Sequence, residues 1–127
     1  MARFVLDASF IIDHLRAEPA AIARLDAMYA NGDDPIVTSI TDAEVWAGAP
    51  KGGDPALEGF LRFIEYVHPG PSTARLAGEW RADARRSGRT LDVTDALIAA
   101  TAFDVEAAVL TRNVKDFALT PVRVETY

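Results

Sequence analysis

Three short apolar runs, Arg3–Leu6, Ile36–Ser39 and Ala108–Thr111, each hand over within a few residues to an acid. Runs of four residues this rich in Val, Ile and Leu read as buried strands. Between them the apolar residues recur at helical spacing. Phe10, Ile11 and Leu15 share one side of Ala8–Arg16, and Ile22, Leu25 and Met28 share one side of Ala20–Ala30, where Pro19 suits the first turn. Leu57, Phe60, Leu61 and Ile64 form a stripe along Ala56–Glu65. Pro71–Ser87 continues as a longer helix with Leu76 and Trp80 inward and Gly88 as its stop. Tyr66–His68 and Val122–Val124 read as further short strands, the second at an edge. Strands that alternate with helices are joined by crossovers, so the expected fold is a three-layer α/β/α domain with a mainly parallel central sheet.

A chain of 127 residues, half of them hydrophobic, suits one domain over 1–127. With no cysteine it has no disulfide framework, no thiolate metal site and no thiol nucleophile, which suits a reducing cytoplasm. Asp7 interrupts the apolar N-terminal run, and the longest uncharged apolar run, Ala96–Phe103, is too short to cross a bilayer. Neither a signal peptide nor a membrane span is expected. The net charge of −6 argues against coating nucleic acid through bulk positive charge. It does not exclude an enzyme acting on nucleic acid, because cations bound by acids reverse the local sign.

The acids themselves are the informative residues. Asp7 ends the first strand, and Glu44 lies in the first helical turn after the second. Asp95 opens a helix on the same face as Ile98, Ala99 and Ala102, and Asp116 follows the strand ending at Thr111. In an open α/β sheet, ligands bind outside the carboxyl ends of the strands, so these four carboxylates are expected to converge there. Converging carboxylates raise one another's pKa unless a cation neutralises them. Oxygen-rich sites of this kind suit Mg²⁺ or Mn²⁺, and such ions suit phosphodiester cleavage.

Each residue also has a structural reading. Thr41-Asp42-Ala43-Glu44 fits a capping box with Thr41 as N-cap and Glu44 reaching back. Asp95 is also a first-turn acid favoured by the helix dipole. Asp92 is open between an auxiliary acid and a turn residue, with the turn favoured. Asp13 reads as a solvated or supporting group, Asp42 as a dipole partner, and Asp104 and Glu106 as exposed. His14 and His68 lack metal-ligand spacing and suit packing or surface roles. Trp46 and Trp80 suit the core or an interface. The run Arg81, Arg85, Arg86 and Arg89 reads as a solvated helix face. Arg112 and Lys115 flank the last acidic turn and are candidate phosphate contacts. No nucleophile elbow and no Gly-rich phosphate loop is present.

Four segments in order, FVLDAS (4–9), SITDAE (39–44), DALIAATA (95–102) and LTRNVKDF (110–117), carry a family resemblance. The chain resembles the PIN-domain ribonucleases, and among them the VapC toxins of VapBC toxin–antitoxin pairs. The resemblance implies that Asp7, Glu44, Asp95 and Asp116 bind Mg²⁺ or Mn²⁺ and are the catalytic acids, with Ser9, Thr111 and Asn113 as polar support. It further implies RNA cleavage by a metal-activated water, a homodimer, and inhibition by a VapB-like antitoxin. Two alternatives stay open: a non-catalytic PIN-like domain that binds RNA or a partner, and a phosphate-receiving signalling domain. The latter lacks a clear acidic pair before an accepting Asp.

Overall fold

The computed structural model describes residues 1–127. Strands β1 (Arg3–Leu6), β2 (Asp34–Thr38), β3 (Glu65–Val67), β4 (Ala108–Leu110) and β5 (Val124–Glu125) form one sheet in the order β3-β2-β1-β4-β5. Every neighbouring pair is parallel. The intervening helices are α1 (Ala8–Leu15), α2 (Pro19–Asn31), α3 (Ser39–Trp46), α4 (Pro55–Arg62), α5 (Pro71–Arg86) and α6 (Val93–Asp104), with a 3₁₀ turn at Val114–Phe117. The expected mainly parallel sheet is thus wholly parallel. A receiver-like alternative of flavodoxin type needs the order 2-1-3-4-5, which this sheet does not have.

The period of two along each strand sorts the core into two faces. Phe4, Leu6, Val37 and Leu110 point to one side, where they meet Phe10 and Ile11 of α1, Leu25 and Met28 of α2 and Leu57 of α4. Val5, Ile36 and Val109 point to the other side, against Ile98, Ala99 and Ala102 of α6. Outside α6, Ala77 and Ala84 of α5 pack on Ala96 and Ala100. Small side chains on both helices make that close approach possible. Strands buried on both faces read as continuous apolar runs, which is what β1, β2 and β4 show.

Several boundaries differ from the sequence expectation, for local reasons. Ser39 belongs to α3, not to a strand, because Thr38 is the N-cap: its hydroxyl accepts the Thr41 N–H at 3.1 Å. The expected capping box at Thr41 and Glu44 therefore does not form, and Glu44 sits past the first turn. Helix α6 begins at Val93 with Asp92 at the N-cap, so Asp95 lies within the first turn and does not open the helix. α4 stops at Arg62, and β5 is shifted to Val124–Glu125 at the edge. Leu76 and Trp80 are half-buried, while Thr73, Ala77 and Ala84 form the inward face of α5.

Candidate active site

Parallel strands place all their carboxyl ends together, and α6, which runs back before β4, brings its N-terminus to the same end. Asp7 follows β1 directly and is buried. Its backbone N–H donates to the Leu110 carbonyl at 3.0 Å, tying it to the end of β4. Its Oδ2 accepts hydrogen bonds from the Thr111 hydroxyl at 2.8 Å and the Ser9 hydroxyl at 3.1 Å. Both hydroxyls are oriented by backbone donors: the Arg112 N–H reaches Ser9 Oγ at 3.0 Å, and the Asn113 N–H reaches Thr111 Oγ1 at 3.0 Å. With those lone pairs used, each hydroxyl proton is free to point at Asp7.

The electrostatics show the other acids gathered around this point. Burial first, and then the negative charges of Asp116, Asp7, Asp92 and Glu44, together raise Asp95 from the ordinary 3.8 to about 7. Glu44 is also raised, first by burial and then by repulsion from Asp7 and Asp92. Neither carboxyl gains a hydrogen bond that would offset these costs. None of the five acids has a Lys or Arg within ion-pair distance. An open cleft of about 570 Å³ lies beside them, lined by Asp92, Asp95, Asp116, Arg81, Thr90, Lys115 and Leu119. A hollow of similar size at the opposite end of the sheet is lined by Met1, Ala2, Arg3, Asp104, Val105, Glu106 and Arg123. That hollow lies at the amino ends of β1 and β4, away from the convergence of acids.

A metal-binding fit can be tested on this donor set. The side chains are carboxylates and hydroxyls with no imidazole or thiolate, which suits a hard cation. No three of them close around a single point as an all-protein cage. Mg²⁺ commonly keeps several waters and takes one or two carboxylates plus substrate phosphate, so an open acidic cleft is compatible with it.

A family model described as the PIN domain matches residues 4–121. This chain belongs to the PIN-domain family. This PIN domain is 35% identical over 117 residues to ribonuclease VapC19 of Mycobacterium tuberculosis, covering 92% of this chain and 94% of that one. It is 28% identical to the tRNA(fMet)-specific endonuclease VapC of Salmonella typhimurium, covering 100% and 99% of the two chains. It also superposes on the DNA-bound VapBC structure from Salmonella typhimurium with a TM-score of 0.82 and 27% identity, covering 99% and 98%.

Within this PIN domain the sequence-derived candidates separate clearly. Asp7, Glu44, Asp95 and Asp116 share one end of the sheet, and Ser9 and Thr111 support Asp7 directly. Asn113 contributes its backbone N–H to Thr111. Lys115 lines the cleft. Arg112 does not present a free guanidinium to it: Nη1 donates to Asp13 Oδ1 at 2.6 Å. Asp13 is therefore a buried anchor, not a solvated group, and it also accepts the Tyr127 hydroxyl at 2.5 Å. Asp42 accepts the Tyr66 hydroxyl at 2.6 Å, holding α3 to β3. His14 packs between the rings of Phe10 and Phe60, and burial lowers its pKa. The residue undervalued from sequence is Asp92. Its side chain makes no capping bond, lines the cleft and repels both Glu44 and Asp95. Its i, i+3 spacing to Asp95 on α6 was the available signal.

Proposed function

We infer that this chain, as one PIN domain over 1–127, is an RNA-cleaving hydrolase and the toxin component of a type II toxin–antitoxin pair. Asp7, Glu44, Asp95 and Asp116 are its catalytic and metal-holding acids, with Mg²⁺ or Mn²⁺ as cofactor and Asp92 at the rim. The observation that carries the reading is the state of Asp95: half-buried, raised to about 7, ringed by four more acids and unpaired. A divalent cation removes that penalty, and when bound it supplies positive charge for the phosphate and a more acidic water.

The chain's own residues do the rest. Thr111 and Ser9 hold the Asp7 carboxylate in one orientation. α3 brings Glu44, α6 brings Asp95 and the 3₁₀ turn brings Asp116 to the same group of acids. Lys115 and Arg81 line the cleft wall, which supports a role for them as contacts to RNA phosphates. The names of the relatives, ribonuclease and endonuclease, support RNA as substrate, and the VapBC assembly of the Salmonella structure supports a VapB-like antitoxin as partner. A homodimer and a cytoplasmic location belong to the same reading; no helix is long and apolar enough to cross a membrane.

The test is cleavage of total RNA by the purified chain in Mn²⁺, in EDTA, and after Asp7→Asn or Asp95→Asn. Cleavage in Mn²⁺ that EDTA stops and either substitution abolishes is the expected result. Full activity of a folded Asp95→Asn protein, or undiminished cutting in EDTA, overturns the assignment.

A further inference from the structure

We propose that Arg81, Arg85 and Arg89 form a phosphate-binding site beside the acid cleft that takes the backbone of single-stranded RNA next to the scissile position. The proposal rests on the nuclease reading and adds to it a substrate contact outside the group of acids. The sequence puts Arg81, Arg85, Arg86 and Arg89 in one short stretch, and the structure divides them. Arg86 turns away and pairs with Asp83 on its own helix. Arg81 and Arg85, one helical turn apart, lie on the same face of α5. Gly88, at φ +73°, ends the helix in the left-handed conformation that glycine adopts without strain, and the Arg89 N–H then reaches back to the Ala84 carbonyl at 2.9 Å. This reversal brings a third guanidinium to the first two.

The three arginines, with Thr90 and Leu91, line a hollow of about 50 Å³. A water occupies about 30 Å³ in the liquid, so the hollow accepts an ion-sized group and not a base. Arg81 Nε donates to the Leu91 carbonyl at 3.0 Å, which fixes the plane of the fork and leaves its two terminal nitrogens without a protein partner. Arg85 and Arg89 have no carboxylate within ion-pair distance. The helix dipole accounts for cations in the last turn, Arg85 and Arg86, but not for Arg81 further back or Arg89 beyond the end. Three unpaired guanidinium groups around one small hollow repel one another, and a phosphate relieves that repulsion through bidentate forks. Arg81 and Thr90 line both this hollow and the acid cleft, so the two sites share a wall. A phosphodiester chain entering the cleft therefore passes the arginines within a short span. Contacts of this kind position the strand without reading its sequence.

The experiment measures binding of a labelled mixed-sequence RNA of about 12 nucleotides, a length typical of single-strand sites, to the full chain in EDTA across a salt series. The proteins are wild type, Arg85→Ala/Arg89→Ala, and Arg75→Ala, which lies on α5 outside both hollows. Each lost phosphate contact on a single strand lowers the slope of log K against log salt by about 0.7. The double variant is expected to lose about one to two units of slope and about tenfold in affinity at low salt, with a rise in KM for RNA cleavage that exceeds any fall in kcat. Arg75→Ala is expected to match wild type. An unchanged slope in the double variant, with its fold verified by circular dichroism, overturns the proposal even if wild type cuts RNA. A loss of slope in a protein that cuts no RNA in Mn²⁺ upholds the arginine site and sinks the nuclease reading instead.

Discussion

The Thr111 hydroxyl donates to the Asp7 carboxylate at 2.8 Å across 104 positions of sequence. The bond exists because β1 and β4 are parallel neighbours, with Leu6 in register with Leu110, so the residues that follow them emerge side by side. Asp7 is buried and relies on only two hydroxyl donors, Thr111 and Ser9. Thr111→Val keeps the shape and removes one of them. Hydrogen bonds to charged groups contribute about 1.5–3 kcal/mol, and a loss in that range is expected in urea unfolding, with reduced RNA cleavage. Thr111→Ser should restore most of both.

Thr38 and Glu44 separate stability from activity. Thr38 caps α3, so Thr38→Ala should cost about 1 kcal/mol in urea unfolding. Glu44 has no capping role and is held at a raised pKa by burial and by Asp7 and Asp92. Glu44→Gln should leave stability equal to or above wild type at neutral pH while RNA cleavage falls sharply. A loss of stability in Glu44→Gln comparable to that of Thr38→Ala would return Glu44 to a structural role.

Asp95 gives the protein a pH dependence. Its folded pKa is about 7 against an ordinary 3.8, so the folded chain keeps a proton that the unfolded chain releases near pH 4. Stability from this group is fully present below about pH 4 and is lost as pH rises through about 7. Asp95→Asn should flatten this decline and be the more stable protein at pH 8, by on the order of 1–2 kcal/mol after solvent screening. Mn²⁺ should raise the melting temperature of wild type at pH 8, equivalent to about 2.7 kcal/mol at a hundredfold excess over Kd, and EDTA should reverse it. The same addition should move Asp95→Asn much less.

Asp13 gathers the Arg112 guanidinium and the Tyr127 hydroxyl, and the Tyr127 ring meets Phe10 edge-on at 5.0 Å. Because the Arg112 N–H also holds Ser9, this cluster sits directly behind the support of Asp7. Tyr127→Phe removes one hydrogen bond to a buried carboxylate and should cost about 1.5–3 kcal/mol at most. Asp13→Ala should cost more than Tyr127→Phe in the same thermal or urea unfolding assay, since it leaves two donors without their acceptor. Equal stability of Asp13→Ala and wild type would mean that the cluster contributes nothing to the fold.

Local pattern was enough to read the alternation of strand and helix, the layered parallel sheet and the arrival of Asp7, Glu44, Asp95 and Asp116 at one end of it. Those depend on short-range periodicity and on the fact that parallel strands end on one side. The tertiary structure decided what depends on contacts between distant segments. Thr38, not Thr41, caps α3 because β2 ends one residue before Ser39. Asp92 joins the acids because α6 packs against β1, which leads into Asp7, and against α3, which carries Glu44. Arg112, adjacent to the acidic turn in sequence, is claimed by Asp13 from α1, while Arg81 reaches the cleft wall and shares the adjoining hollow with Arg85 and Arg89. A charged side chain's partner is set by what lies within a few ångströms of it in space, and for Arg112 and Asp92 that neighbour is far away along the chain.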